Sequence, residues 1–202
     1  MNVKLIAADD VNAIPTIDAA DVAAVVRRLL KRQFPSARFS VRTRRASMSV
    51  TVAVSWTDGP ASDHLRGMLD WVEDGTFDGM TDCRRRRGPV NIADIDDAQT
   101  RAELRALAGG VPLMRTSSHW LDTAREYSTQ AWDRVAEEIH RQHGLVIDRD
   151  EHGLPLHQTA GQLLPLGATL QIGATTLGGQ DATFREVAWK WLAQTDLTEA
   201  GA

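Results

Sequence analysis

The stretch FPSARFSVRTRRASMSVTVAVSWTDGP, residues 34–60, decides the fold. Phe39 and Val41 alternate with polar residues, and the alternation resumes after a polar turn predicted at residues 44–47. Two alternating segments around such a turn are typical of a half-buried β-hairpin. The face of the second strand that we predict to be buried consists of Val50, Val52, Val54 and Trp56.

A helix is predicted on each side of this hairpin. Upstream, apolar residues recur at i, i+3, i+4, i+7 and i+8 from Val22 to Leu30, and a Phe-Pro pair ends the pattern. Downstream, the same spacing runs from Leu65 to Val72 and stops at Gly75. We expect the hairpin valines to pack on the first helix, with Arg38 and Arg42 on the opposite face of the sheet.

The rest of the chain is predicted to be mainly helical with a few short strands. Helices are predicted over residues 94–108, over 118–143 as one helix or two, and after the capping box Thr183-x-x-Glu186. Residues 84–94 are predicted to form a linker or an exposed arm. Short strands are predicted at 111–114, 145–147, 168–172 and 174–177. The fold class is therefore α+β.

Charge divides the chain near residue 90. Residues 1–87 carry 14 Lys and Arg against 11 Asp and Glu, whereas residues 88–202 carry 9 against 16. We therefore predict a basic helix–hairpin–helix module over residues 1–90 and an acidic, mainly helical region over 91–202. The two regions form either separate domains or one domain. An acidic second half also leaves open a structural or assembly module that dimerises through it.

The basic module carries two groups of arginines. Residues 22–57 contain eight basic residues and no acidic one, and four arginines follow one another at 84–87. Such segregation is typical either of a surface for nucleic acid or another polyanion, or of an ordinary solvated face. The candidate binding residues are Arg38, Arg42, Arg44, Arg45, Arg84, Arg85, Arg86 and Arg87.

Composition excludes several classes of protein. The chain has 202 residues, 43% of them hydrophobic, and no apolar run approaches the length of about 18 residues that a membrane span needs. Cys83 is the single cysteine, so an internal disulfide is excluded, and no secretory signal pattern is visible. These features predict a globular protein of the cytoplasm.

The densest set of potential metal ligands lies in HRQHGLVIDRDEHGLPLH, residues 140–157. Two histidines three residues apart can share one face of a helix, so a small metal-dependent hydrolase is an alternative function. No established metal motif fits this spacing, however, and we predict neither a bound metal nor any cofactor. The histidines concerned are His140, His143, His152 and His157.

The hairpin stretch and the later loop FDGMTD, residues 77–82, together resemble large polyvalent protein-associated domain 29. The resemblance covers about residues 16–82 and extends towards Arg115 with Ser117 or Ser118. Members are similar in a basic helix, an F-S-V-R strand, a strand ending in W-T-D-G-P, a helix and the F-D-G-M-T-D loop. The family-motif residues are Trp56, Asp58, Gly59, Phe77, Asp78, Gly79 and Asp82.

The resemblance indicates where such proteins occur rather than which reaction they catalyse. Such domains occur in proteins of phages and conjugative elements and are suspected of protecting incoming DNA from host defences, so the resemblance places the protein in a host bacterial cell. It supplies no catalytic residue. We therefore predict a non-enzymatic accessory protein that binds nucleic acid or a host defence protein, with a homodimer as an open alternative.

Overall fold

A computed structural model of the chain describes residues 14–46, 49–78, 80, 83–152, 169–172, 175–179 and 183–198. These residues form five α-helices: α1 Ala19–Gln33, α2 Ser62–Met68, α3 Ala98–Leu107, α4 Thr129–His143 and α5 Phe184–Gln194. Their strands are β1 Thr16–Ile17, β2 Phe39–Ala46, β3 Ser49–Thr57, β4 Gly75–Asp78, β5 Cys83–Arg86, β6 Val90–Asn91, β7 Leu113–Thr116, β8 Trp120–Glu126, β9 Thr169–Ile172 and β10 Thr175–Gly178. The α+β class predicted from the sequence is confirmed.

The strands pair into small sheets. Two sheets have three strands each, in the orders β1–β7–β6 and β2–β3–β8, and two are hairpins, β4–β5 and β9–β10. The short strand β1 is parallel to β7, whereas β6 is antiparallel to it. The β1–β7 pair joins segments that are about one hundred residues apart in the chain.

The described residues cluster into two compact units. The first unit takes its residues from Met1–Gln33, Phe39–Ser55 and Arg66–Ala124, and the second from Phe34–Arg38, Trp56–Leu65 and Arg125–Ala202. The boundary that we predict near residue 90 rests on the distribution of charge. Clustering by packing does not test that boundary, so it stays a prediction.

In the first unit, α1 supplies the main apolar face. Its buried side chains recur at helical spacing, and Val41 and Val52 of the β2–β3 hairpin are buried as well, while Arg42 is exposed. The predicted buried face of β3 is confirmed at Val52, Val54 and Trp56, since a shift by one residue would have reversed these exposures, whereas Val50, which we also predict to be buried, is half-buried. The buried apolar residues of α1 are Ala19, Val22, Ala23, Val25, Val26, Leu29 and Leu30.

A polar network holds α3 in the same unit. Asp97 caps α3 by accepting a hydrogen bond from the Thr100 backbone N–H at 2.6 Å, and it also binds the Arg32 guanidinium at 2.8 Å. Arg28 and Arg32 both reach Glu103, at 2.7 and 3.2 Å. Two basic side chains of α1, Arg28 and Arg32, thus form ion pairs within the protein.

In the second unit, α4 and α5 share a core with the β9–β10 hairpin. The capping box that we predict at Thr183 and Glu186 is present, with both hydrogen bonds formed. Gly144 ends α4 with a φ of 68°, a left-handed conformation that favours glycine. The buried core side chains are Val135, Ile139, Leu177, Phe184, Val187 and Ala188.

Two predicted helical or irregular segments are instead strands. The prediction of helix from residue 118 is wrong up to residue 127, because β8 alternates with Leu121 buried and Asp122 exposed. The prediction of an arm at 84–94 is also wrong, because β5 pairs with β4 and β6 pairs with β7. Backbone pairing does not depend on how polar a side chain is, so a run of arginines can form a strand.

Two smaller predictions also change. Gly75 does not end a helix but begins β4, where a Cβ atom would lie 2.4 Å from the carbonyl oxygen of Arg85. Only glycine fits this close approach of the two hairpin strands. The strand predicted at 145–147 is absent, since these described residues follow the end of α4 without pairing.

Candidate functional site

A polar cleft of about 280 Å³ opens in the first unit. Its walls come from β1, from the end of β5 and from β7 with the residues that follow it. Charged and hydroxyl side chains dominate the lining: Thr16, Glu73, Asp74, Arg86, Arg87, Arg115, Ser117 and His119. Clefts with convergent polar groups are the usual places for binding sites.

The β1–β7 pairing positions the floor of the cleft. The Arg115 N–H donates to the Pro15 carbonyl and the Ser117 N–H donates to the Ile17 carbonyl, both at 2.9 Å. The Ser117 hydroxyl oxygen accepts the backbone N–H of Ala19 at 2.8 Å and so caps the first turn of α1. Because that oxygen is the acceptor, the hydroxyl hydrogen can be donated elsewhere.

His119 is fixed to the hairpin by two hydrogen bonds. Its backbone N–H donates to the Val50 carbonyl at 2.7 Å, and the Val50 N–H donates to Nδ1 of its ring at 3.0 Å. Since Nδ1 accepts this bond, the neutral ring carries its proton on Nε2. The orientation and the tautomer of the imidazole are thereby set by β3.

The acidic groups around the cleft are largely engaged. Glu73 binds the Arg66 guanidinium at 3.2 Å and accepts the Leu121 N–H at 2.9 Å, and its side chain is only 16% exposed. Asp70 forms an ion pair with Arg87, which also donates to the Asp70 carbonyl at 2.7 Å. The two pairs thus neutralise Arg87 and Glu73 of the cleft lining.

Two arginines of the lining remain without a partner. Arg86 is exposed and Arg115 is half-buried, and neither side chain has a hydrogen bond or an ion pair to any residue that the structure describes. The lining thus combines two guanidinium groups that have no partner among the described residues with one further carboxylate, Asp74. Planar guanidinium groups bind phosphate and carboxylate oxygens through paired N–H donors.

The eight arginines predicted from the sequence meet different surroundings. Arg86 and Arg87 come together in the cleft, and Arg42 and Arg38 are exposed, with Arg38 grouped in the second unit. Arg85 is exposed as well, and the side chain of Arg84 lies outside the described part of the structure. That all eight form one binding surface stays a prediction.

Arg44 and Arg45 are not at the tip of the hairpin. Both lie within β2, which extends to Ala46, and each contacts an acid: Arg44 lies 3.4 Å from Asp122 and Arg45 lies 3.3 Å from Asp18. Because β8 is the third strand of this sheet, Asp122 brings negative charge beside the arginines of β2. The surroundings of the β2 arginines therefore carry mixed charge.

Arg115 and His119 were missed as site residues by sequence reasoning. The family resemblance extends towards Arg115, but nothing in its local sequence separates it from other surface arginines. His119 stands alone between Ser118 and Trp120, without a motif. Both residues enter the site only through the pairing of β7 and β8 with distant segments.

The candidate metal ligands do not form a metal site within the residues that the structure describes. His140 Nδ1 lies 3.1 Å from the Leu145 carbonyl oxygen, whereas Nε2 of His143 is buried and has no hydrogen-bond partner among the described residues. His152 is exposed beside Glu151, and His157 lies outside the described residues. Within those residues no group of three or more His, Cys, Asp or Glu side chains could hold a metal ion.

The W-T-D-G-P motif forms a tight turn in the second unit. Asp58 and Gly59 adopt left-handed φ values of 54° and 58°, and the Trp56 indole N–H donates to the Pro60 carbonyl at 3.1 Å. The Asp58 carboxylate accepts the Ser128 N–H at 2.9 Å. Aspartate is one of the few residues with a side chain that tolerates this conformation, so the motif has a structural role here.

Arg125 links this turn to the end of α5, and sequence reasoning missed it. Its guanidinium donates to the carbonyl oxygens of Asp58 at 2.6 Å, Gly59 at 2.9 Å, Leu192 at 2.7 Å, Ala193 at 3.5 Å and Thr195 at 2.9 Å. Burial lowers the pKa of Arg125 and raises the pKa of the neighbouring Tyr127 hydroxyl. A cation at the last carbonyls of a helix also complements its dipole.

The second motif, F-D-G-M-T-D, lies between β4 and β5. Phe77 and Asp78 belong to β4, and their side chains lie outside the description, as do Gly79 and Asp82 entirely. The backbone pairs Phe77 with Arg84 and Asp78 with Cys83. The motif therefore begins the hairpin whose last strand leads into the cleft.

Comparison with known proteins gives one match. A sequence model of the family described as large polyvalent protein associated domain 29 matches residues 17–128, more than half of the chain. No curated protein and no solved structure matches the chain.

Within the described residues, no helix is both long and apolar enough to pass through a lipid bilayer.

Proposed function

The chain belongs to the large polyvalent protein associated domain 29 family, which is associated with phages and mobile elements, and from this premise we propose that it binds nucleic acid through the cleft of its first unit. The protein acts as a non-enzymatic accessory factor of the element, in counter-defence. One observation carries the proposal: Arg86 and Arg115 face the same cleft, and neither has a partner among the described residues.

The contacts of the neighbouring charges support this proposal. Glu73 is held by Arg66 and Asp70 by Arg87, so neither carboxylate is available to neutralise Arg86 or Arg115. An anion that enters the cleft therefore meets two guanidinium groups and the hydroxyls of Thr16 and Ser117. Arginine, hydroxyl and backbone donors of this kind make most phosphate contacts in protein–DNA complexes.

The other predicted arginines extend the same proposal. Arg42 is exposed in the first unit and adds positive charge to it. Arg44 and Arg45 can exchange their exposed ion pairs for phosphate at small cost, because exposed pairs contribute only about 0–1 kcal/mol. These residues steer a polyanion towards the unit, while the cleft residues hold it.

The test is a charge reversal with a matched control. Arg86→Glu combined with Arg115→Glu should weaken binding of a labelled DNA oligonucleotide more than tenfold, measured by fluorescence polarisation at low salt. The control combines Arg105→Glu with Arg134→Glu, which makes the same change in net charge at two exposed arginines outside the cleft. The control, at two exposed positions, should unfold within about 0.5 kcal/mol of the wild type, as surface substitutions do. Because Arg115 is half-buried, urea denaturation of the cleft variant checks that it is folded when its affinity is measured.

Salt dependence gives a second readout. If the two cleft arginines neutralise two phosphates, their loss should reduce the slope of log affinity against log salt concentration by about 1.4 to 1.8. Equal losses of affinity in the cleft variant and the control would contradict a role for the cleft. If the wild type bound neither single-stranded nor double-stranded DNA or RNA, the proposal of nucleic-acid binding would be wrong, and a host defence protein would become the target to test.

A further inference from the structure

Three aromatic rings meet edge to face in the second unit. The ring centroids of Trp189 lie 5.5 Å from those of Tyr127 and Trp132, and the Tyr127 and Trp132 centroids lie 6.4 Å apart. Trp189 is nonetheless 45% exposed, the most exposed large aromatic side chain among the described residues. The chain therefore keeps a tryptophan at the surface on a support of two other rings.

This support is fixed by the protein below it. The Arg125 guanidinium lies 5.1 Å from the centroid of the Tyr127 ring, and its N–H groups are bound to backbone carbonyls of the turn at residues 58–59 and of the end of α5. Tyr127 and Trp132 also pack against the buried Leu192 and Leu197. Trp189 thus loses little conformational freedom when a ligand contacts it, because its neighbours are already ordered.

The charge beside Trp189 is positive. Arg185 lies one helical turn before it on the same face of α5, and Lys190 follows it directly. Both are exposed, and neither has a partner among the described residues. The one acid of the helix, Glu186, adjoins Arg185 and accepts the Thr183 backbone N–H in the capping box, so the three charges of α5 sum to +1, and Asp133 of α4 is paired with Arg149. An exposed aromatic ring beside unpaired cations complements a nucleic acid strand.

We propose that Trp189 stacks on an unpaired base of single-stranded nucleic acid and that Arg185 contacts the adjoining phosphate. This inference rests on the proposed function for the class of ligand, but it concerns a separate site in the second unit. A single strand fits because its bases can leave the stack and expose their faces, whereas the faces of paired bases are covered.

The experiment compares two DNA probes on the full chain: a labelled thymidine oligonucleotide and a hairpin duplex of the same charge. Trp189→Ala should weaken binding of the single strand about tenfold, as loss of base stacking does, and should change duplex binding less than twofold. Leu107→Ala is the matched control, because Leu107 is 44% exposed and aliphatic, and it should leave both affinities unchanged. Trp189→Phe keeps a ring and should retain most of the binding, while Arg185→Glu should lose it.

The outcomes separate this inference from the cleft. Equal single-strand affinity of Trp189→Ala and the wild type would overturn the stacking site, and so would an equal loss on both probes. In either case the cleft variant, Arg86→Glu with Arg115→Glu, tests the proposed function independently, because it should weaken both probes. If the thermal midpoint of Trp189→Ala fell, its loss of affinity could come from unfolding, and the Trp189→Phe and Arg185→Glu variants would decide instead. Unchanged single-strand affinity in Arg185→Glu together with lost affinity in Trp189→Phe would then overturn the inference.

Discussion

Arginines in the two units have opposite surroundings. In the second unit, Arg125 is partly buried and donates to five backbone carbonyls, so its hydrogen-bonding capacity is used within the protein. In the first unit, Arg86 and Arg115 face a cleft and have no partner among the described residues. The same side chain is thus a structural link in one unit and an open donor in the other.

The two parts of the family motif lie in these two contrasting surroundings. The W-T-D-G-P turn is bound by Arg125, Ser128 and Leu197, so its polar groups serve the fold. The hairpin that carries F-D-G-M-T-D leads instead into Arg86, which lines the cleft and has no partner among the described residues. Substitutions in the turn should therefore change stability without changing affinity, and substitutions in the cleft should do the reverse.

The largest expected effect is at Arg125. Arg125→Met removes a charged donor from several carbonyls, and since each hydrogen bond to a charged group contributes about 1.5–3 kcal/mol, we expect a loss of about 3 kcal/mol or more in the free energy of unfolding. Urea denaturation measures this directly. Arg42→Met, at an exposed arginine, should stay within about 0.5 kcal/mol of the wild type. Equal urea midpoints for the two variants would contradict the contrast between Arg125, which is bound within the fold, and an exposed arginine.

A smaller effect is expected at two glycines. Gly59→Ala places a Cβ at a φ of 58°, 3.1 Å from Trp56 Cδ1 and 3.3 Å from Ala37 Cβ, and should cost about 1–2 kcal/mol. Gly67 lies in α2 with nothing within 4 Å of its added Cβ, so Gly67→Ala should stabilise the protein by up to about 1 kcal/mol. Opposite shifts of the two thermal midpoints are the expected result; a midpoint of Gly59→Ala that did not fall would show that the turn does not need its glycine.

The smallest effect tests an arginine of the first unit that is already paired. Partial burial opposes ionisation of Asp97, but hydrogen bonds from Thr100 and the Arg32 guanidinium outweigh it and hold its pKa at about 2. Asp97→Ala removes this partner and the cap of α3, and should cost about 1 kcal/mol at neutral pH. A cost of this size would show that Arg32, like Arg125, stabilises the fold through its partners, although by a smaller free energy.

The pH dependence of that cost has a definite sign. The pKa of Asp97 is lower in the folded protein than its ordinary value of 3.8, so the ionised carboxylate stabilises the fold above pH 3.8 and loses this contribution as the pH falls towards 2. The stability difference between wild type and Asp97→Ala, measured in urea from pH 7 to pH 2, should shrink over that window. A constant difference would mean that the cap acts without its charge.

Elements with local signals were predicted correctly. The apolar spacing of α1, the alternation of β2 and β3 and the capping box of α5 are all present where the sequence places them. The prediction failed where the local pattern was ambiguous: β8, WLDTARE, has too few apolar residues to separate period two from period 3.6. Its pairing with β3 decided the structure and also brought Asp122 beside Arg44.

The sequence by itself determined the α+β class, the register of the β2–β3 hairpin and the family, because these depend on periodicity and on motifs that short segments contain. Only the tertiary structure decided which arginines have partners within the fold. Arg86, Arg115 and Arg125 look alike in the sequence, and their difference arises from partners that lie far away in the chain, such as Asp58 and Leu192 for Arg125. Whether a guanidinium is satisfied or free depends on the atoms that folding brings within hydrogen-bond distance, and local sequence does not specify those atoms.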